Sequence, residues 1–452
     1  MNARTLAAAL AAMIAVGFSA IAEQPEIKRL SIDEAVNLAM ENNIQLASTA
    51  IDVRMKKRAA DLAWNVFIPT VQGTGTLARS NSAANPYASL LAMIFPGYTE
   101  SEPEEKDHWT AMGNLSISLN LNLALFEGLK ATRQSYDAGM LTWEQARAQT
   151  EQNVRKAFYG LLLQQGSLGL ARDKLAISEE RMRQTLTNFR NGLVPELSYL
   201  QTQLAVETQK PSIMEAELAL EQQTNLFAFI LGLPLGTKLE LDGKIDPQVQ
   251  SFDADALVRD HLAERYDLAI LRQNIDLMET QIRATKLQIY TPSLALSQSY
   301  GPRLSAIDAE WLDTENWSDS SGAFSATLAF NITNLLPFSS TQQKLRETKD
   351  AKNKLELTMQ QAVYNAELEV RNLVKKLEKS RTSIAAMEMN VAIAEKAWRL
   401  TEQGYKAGTI EYLDLKDAEN TLIQARMGVL SEKFTYLSNL LDLETALNAE
   451  LN

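Results

Sequence analysis

The sequence predicts a mostly α-helical chain with a smaller β part, made from two copies of one unit that runs helix, strand, strand, long helix, long helix. Three observations point there. First, two heptad seams lie 216 residues apart in the same register: Val154, Leu161, Leu168, Leu175, Met182, Phe189, then Val370, Leu377, Ile384, Val391, Trp398, Tyr405. An apolar residue at every seventh position over five intervals marks a helix in a left-handed supercoil. Second, each seam ends at a glycine turn, "FRNGLVPELSYLQTQLA" from Phe189 and "YKAGTIEYLDLKDAENT" from Tyr405, so that Gly192 overlies Gly408 and Val194 overlies Ile410. Third, "GNLSISLNLNLALF" from Gly113 and "GAFSATLAFNIT" from Gly322 alternate apolar residues with Ser, Thr and Asn.

In chain order, the N-terminus reads as a secretory signal: Arg4, an apolar stretch from Leu6 to Phe18, and Ala20-Ile21-Ala22 before Glu23. Residues 1–22 are therefore expected to be removed on export. No later stretch holds 18 uninterrupted apolar residues, so no transmembrane helix is expected. The first repeat is assigned to 23–236 and the second to 255–452, joined by a linker at 237–254. "SIDEAVNLAMENNIQLA" from Ser31 resembles "DADALVRDHLAERYDLA" from Asp253, and each leads to a helix expected to stop at a proline, Pro69 and Pro292. Proline disfavours the α region for the residue before it, so extended chain should follow.

Strands are expected at about 71–80 and 113–125 in the first half, and at about 293–301 and 322–332 in the second. In the strongest, Leu115, Ile117, Leu119, Leu121, Leu123 and Leu125 alternate with Ser116, Ser118, Asn120, Asn122 and Ala124. Alternation alone fits either a half-buried sheet or a strand that crosses a bilayer, which takes about 9–11 tilted residues. The loops between strands, 81–112 and 302–321, hold acidic residues together with Trp109, Trp311 and Trp317.

Long helices are expected at about 128–190 and 196–231, then at about 340–406 and 411–448. The first would run roughly 95 Å at about 1.5 Å per residue. A second apolar set lies two residues beyond several seam positions: Leu163, Leu170, Ile177, and Ala386, Ile393, Leu400. Two residues on a helix are about 200° apart, so such a helix suits a wall in which each member has a neighbour on both sides. Pro211 falls inside the helix after the first turn, where Met427 stands in the second copy. A kink or break is expected around 207–211.

Composition removes several functions. The chain has no cysteine and only His108 and His261, so disulfides and thiolate metal sites are excluded. A net charge of −12 argues against nucleic acid as a partner. No nucleophile–base pair, metal-ligand spacing or phosphate loop is present, and Gly73-x-Gly75 sits in a strand rather than before a helix. Neither an enzyme nor a bound cofactor is expected. The competing reading is an exported periplasmic coiled-coil scaffold or adaptor protein without a pore.

The layout resembles the TolC-type outer-membrane efflux channel family over essentially the whole mature chain. The resemblance is carried by "LSIDEAVNLAMENN", Pro69 and Pro292 before strands, "LFEG" from Leu125, "NGLVPELSYLQTQLA", "LFAFILGLPLG" and "YKAGTIEYLDLKDAE". It implies a homotrimer whose strands form a 12-stranded outer-membrane β-barrel, continued by a periplasmic α-helical tunnel. The implied role is the outer-membrane exit duct of a tripartite efflux or type I secretion system. Its implied partners are a periplasmic adaptor (membrane fusion) protein, an inner-membrane pump and outer-membrane lipid.

By the same resemblance, Gly192, Leu193 and Val194 with Gly408, Thr409 and Ile410 are the adaptor-docking tips. Asp414 and Asp417 match the family's periplasmic constriction; on the sequence alone they are acidic residues at a helix start, which the helix dipole favours. The chain departs from the family at Ile410, where an arginine can close the channel, and at Ser198, where the acidic partner can stand. Pro195 with Glu196, and Thr409 with Glu411, are expected to start the return helices.

Overall fold

The computed structural model describes residues 28–81, 88–97, 99, 108–234, 236–305, 317 and 322–451. The expected signal peptide and the acidic residues of both expected loops lie outside the described residues. In chain order the elements are β1 (Lys28–Leu30), α1 (Ile32–Asn42), α2 (Ile44–Asp61), β2 (Thr70–Arg79), α3 (Ala88–Ile94), β3 (Trp109–Leu121), α4 (Ala124–Arg190), α5 (Glu196–Ile230) and β4 (Leu239–Leu241). There follow α6 (Ala254–His261), α7 (Tyr266–Tyr290), β5 (Ser293–Tyr300), β6 (Arg303–Ser305), β7 (Gly322–Ala329), α8 (Ser340–Lys406) and α9 (Tyr412–Leu447). The chain divides into two compact units, one holding the described residues of 1–50, 143–267 and 362–452, the other those of 51–142 and 268–361.

In the first unit, α1 starts with a capping box. Ser31 Oγ accepts from the Glu34 amide, and the Glu34 carboxylate accepts from the Ser31 amide. Ala35, Val36 and Ala39 of α1 then pack with Leu30, Phe158 and Phe227 in one core. A second core joins Val370, Leu377 and Ile384 of α8 to Tyr436, Leu443 and Leu447 of α9. The expected linker is not featureless, because β4 pairs in parallel with β1. The Tyr436 hydroxyl also accepts from the Gln250 amide at 2.9 Å.

Four helices of this unit stand in a row. Arg172 of α4 reaches Glu217 of α5 at 2.5 Å. Gln152 of α4 donates to Asp442 of α9 at 2.6 Å, and Lys433 of α9 pairs with Glu388 of α8 at 3.0 Å. The order is therefore α5, α4, α9, α8. The flank of α4 carrying Leu163 and Leu170 is half-buried, whereas Ile393 and Leu400 of α8 are 61% and 59% exposed. On α5, Leu197, Leu200, Leu204 and Met214 are likewise exposed. Apolar seams thus remain open at both ends of the row.

The expected break is absent from α5, which runs unbroken as α-helix through Pro211. The residues around it, Glu207, Lys210 and Pro211, are exposed, so water solvates the carbonyl that proline leaves without a donor. A continuous helix that carries an interior proline should gain from its removal. Pro211→Ala is expected to raise stability by up to about 3 kcal/mol, read as a higher midpoint of thermal unfolding.

Glu444 of α9 is half-buried, and burial pushes its carboxyl above the usual glutamate range despite the Leu451 amide it accepts at 3.1 Å. The folded state then holds this proton more tightly than the unfolded state. Stability from this group is present at low pH and is lost as pH rises from the ordinary to the raised value. Glu444→Gln is accordingly expected to raise the unfolding midpoint at neutral pH and to leave it unchanged in acid, a difference that paired melts across pH would measure.

The second unit is a sheet continued by helix ends. Strand order is β2-β3-β5-β7, with β6 also on β3, and every pairing is antiparallel. Register sorts the residues by chemistry. Thr70, Ser118, Ser297 and Ser325 line up across all four main strands, and Val71, Ile117, Gln298 and Phe324 form the neighbouring row on the opposite face. Leu121, Leu294 and Leu328 continue the apolar face. Yet Val71, Leu77, Phe324 and Leu328 are 62–71% exposed.

Several boundaries differ from expectation, with β3 starting at Trp109 rather than 113 and α4 at Ala124 rather than 128. Strand β3 ends at Leu121 rather than 125, because α4 begins at Ala124 and the Leu125 amide turns back to the Asn122 carbonyl. Strand β7 gives way to a 3₁₀ turn at Ile332–Leu335, capped by Asn331. Helix α2 ends at Asp61, and a 3₁₀ turn at Ala63–Phe67 leads to Pro69.

Candidate functional site

Both glycine turns have the same local chemistry. Gly192 has φ +71 and Gly408 φ +75, the left-handed region that costs a residue with a Cβ roughly 1–2 kcal/mol. After α4, the Leu193 amide donates to the Asn188 carbonyl at 2.8 Å and the Gly192 amide to Phe189 at 2.9 Å. After α8, the Thr409 amide donates to Gly404 at 2.9 Å and the Gly408 amide to Tyr405 at 3.0 Å. These crossed bonds form a Schellman motif at each turn and satisfy the helices' last carbonyls.

The tips expose Gly192, Leu193, Gly408 and Thr409, while Val194 and Ile410 are half-buried. Ile410 leans on Gly404, where an added Cβ would sit 2.5 Å from its Cδ1. The return helices start where expected, at Glu196 after Pro195 and at Tyr412 after Glu411, but without the expected side-chain cap. Pro195 takes the N-cap position of α5 and Glu411 that of α9, and neither side chain makes a capping bond. The Thr409 hydroxyl instead donates to the Gly404 carbonyl at 3.0 Å, closing the outgoing helix. An aromatic pair braces each turn: Phe189 on Tyr199 with centroids 6.2 Å apart, and Tyr405 on Tyr412 at 6.4 Å.

Asp414 and Asp417 lie in the first two turns of α9, both exposed and three residues apart on one face. Leu415, Glu419 and Leu422 form the buried side. Sequence reasoning missed the group that seats this helix start. Arg181 of α4 donates to Glu419 at 2.8 Å, with side chains only 10% and 6% exposed. Its guanidinium also lies over the Tyr412 ring, 5.8 Å from the centroid. Burial pushes the Tyr412 hydroxyl above the usual tyrosine range, against an opposing pull from Arg181. Asp417 and Glu419 are about 200° apart around the helix. The ion pair therefore holds one side of α9 on α4 and leaves the aspartates on the other.

Comparison with known proteins adds the family. A family model described as "Outer membrane efflux protein" matches residues 35–233 and 257–449. Among characterised proteins, the chain is 22% identical over 319 residues to nodulation protein T of Rhizobium leguminosarum bv. trifolii, covering 69% of this chain and 66% of that one. It is 23% identical over 428 residues to the outer membrane protein TolC of Vibrio cholerae, covering 92% and 90%. Among solved structures, the CmeC outer membrane channel of Campylobacter jejuni shares the fold, with a TM-score of 0.75 at 15% identity over 92% of this chain and 85% of that chain.

Proposed function

The chain belongs to the outer membrane efflux protein family and resides in the outer membrane, and from that premise we propose that it is the exit duct of a tripartite efflux or type I secretion system. The observation that carries this is the sheet's four main strands, with one apolar face exposed, one face of hydroxyls and amides, and, among the described residues, edges β2 and β7 unpaired. In lipid each unpaired backbone group would cost several kcal/mol, and four strands are fewer than the eight of the smallest membrane barrels. Three copies supply twelve strands, a closed barrel and room for an aqueous bore. The Ser and Thr face suits that bore.

The helix row supports the same assembly. Its two open seams, on α5 and α8, lie at opposite ends, so α5 of one copy can meet α8 of the next in a head-to-tail ring. On this reading the chain is two repeats, 23–236 and 255–452, and the rings of α4, α5, α8 and α9 form a tunnel through the periplasm. Gly192, Leu193, Val194, Gly408, Thr409 and Ile410 are its adaptor-docking tips, Asp414 and Asp417 its constriction. The pump in the inner membrane delivers cargo through the adaptor, and the duct itself catalyses nothing.

Membrane fractionation tests the assembly. The mature chain, cut after Ala22, should be extracted from the outer membrane by mild detergent as a trimer. Recovery as a soluble periplasmic monomer would overturn it.

A further inference from the structure

The junction between sheet and helices carries a feature that transport does not use. Each of the four strand ends that meets a helix is followed by exposed apolar or aromatic residues: Trp64 and Ile68 before β2, Phe126 after β3, Tyr290 before β5, and Phe338 after β7, the last 83% exposed. Just beyond them the charge changes sign. In the sixteen residues adjoining the helical end of each strand there are nine Lys and Arg against four Asp and Glu, while the whole chain has 44 against 56. An aromatic belt backed by basic residues is the arrangement that suits a lipid headgroup layer.

Within this band, α2, the 3₁₀ turn after it and the start of α4 enclose a groove of about 630 Å³. Met55, Leu62, Val66, Leu125 and Leu129 make it apolar, and Arg58 stands at its edge. Among the described residues Arg58 is exposed and forms no ion pair. The Phe67 and Phe126 rings, 5.8 Å apart, join the two walls beside the strands. Gly128 also lines the groove, and a Cβ there would meet nothing within 4 Å.

We propose that this groove binds an anionic glycerophospholipid of the periplasmic leaflet, with its phosphate on Arg58 and an acyl chain along the apolar wall. The chemistry is complementary at both ends, because one cation without a partner meets an anion and exposed aliphatic side chains meet methylenes. The groove also lies beside the Phe67 and Phe126 rings at the strand ends, within reach of a lipid in the adjoining leaflet. This rests on the strands being the membrane span.

The test uses the full-length protein, first shown by fractionation to reach the outer membrane, so that failure of that premise is seen separately. Purified in mild detergent, it is incubated with equal amounts of dioleoyl phosphatidylglycerol and dioleoyl phosphatidylcholine and repurified, and the retained lipid is measured by mass spectrometry. Phosphatidylglycerol should be retained over phosphatidylcholine by about fivefold, the contribution of one basic residue at an anionic surface. Arg58→Gln should abolish that preference, and Gly128→Leu, which fills the groove, should lower retention of both lipids with the oligomer intact. Excess inorganic phosphate should not displace the lipid. Equal retention by the wild type, or a preference that survives Arg58→Gln, would overturn the proposal. So would loss of the oligomer in Gly128→Leu, which would make the groove a contact with a second copy, or displacement by phosphate, which would make it a free-anion site.

Discussion

Arg181→Ala is expected to destabilise the periplasmic end of the helix row by about 3–5 kcal/mol, the usual cost of leaving one member of a buried ion pair without its partner. Glu419 would be left without this partner in a site only 5% exposed, where, among the described residues, its Oε1 already has no hydrogen-bond partner. Replacing both members with apolar residues, as in Arg181→Met with Glu419→Leu, should recover the loss or exceed it by about 1–4 kcal/mol. Thermal unfolding of the two variants measures the contrast. If the single variant melts like the wild type, the pair is solvated and not structural.

The same variant tells local from global effects through Tyr412. Its hydroxyl titrates above the usual range because of burial, and Arg181 pulls it down. If α9 stays seated without Arg181, the titration should move higher still, since burial and the neighbouring Glu419 and Tyr405 all push it up. If the helix start lifts away from α4, the hydroxyl should return to an ordinary tyrosine value. Difference absorbance of Arg181→Ala against the same variant carrying Tyr412→Phe reads the shift.

Why these residues escaped sequence reasoning is instructive. The seams are legible because burial repeats every seven residues, and the structure buries Val154, Leu161 and Leu168 as it buries Val370, Leu377 and Ile384. Below those positions the pattern loses its meaning. Leu175, Met182 and Phe189 are only half-buried, and the deep positions of α4 become Ser178, Arg181 and Thr185. A polar residue at a buried helix position looks like a surface residue until its partner is known, and the partner of Arg181 is 238 residues away. The small polar pair Ser178 and Thr185, seven apart, was the one available hint. The glycine turns were legible for the opposite reason, since the left-handed φ and its crossed hydrogen bonds are local. Strands β1 and β4 were not, because three residues each carry no period and their pairing joins Lys28–Leu30 to Leu239–Leu241 across the chain. Pro211 does not break α5, although intrinsic propensity disfavours it there, because its surroundings are exposed.

Asp414→Ala with Asp417→Ala is expected to raise single-channel conductance and to weaken block by multivalent cations on the order of tenfold. Both side chains are exposed on the face of α9 opposite the buried Glu419 and Leu415, so truncation removes charge without opening a cavity. In the proposed trimer the two positions would supply six carboxylates around one axis. Two unit charges about 4 Å apart interact by roughly 1 kcal/mol even in bulk water, and several carboxylates acting on one divalent or trivalent ion add to more than that. Because Arg181 and Glu419 seat the helix from its other side, the double variant should retain the wild-type melting temperature, which separates loss of charge from loss of structure. Planar-bilayer recordings with and without a trivalent cation decide it. Conductance and block equal to wild type would place the narrowest point elsewhere and leave the two aspartates as acidic residues favoured by the positive end of the α9 dipole.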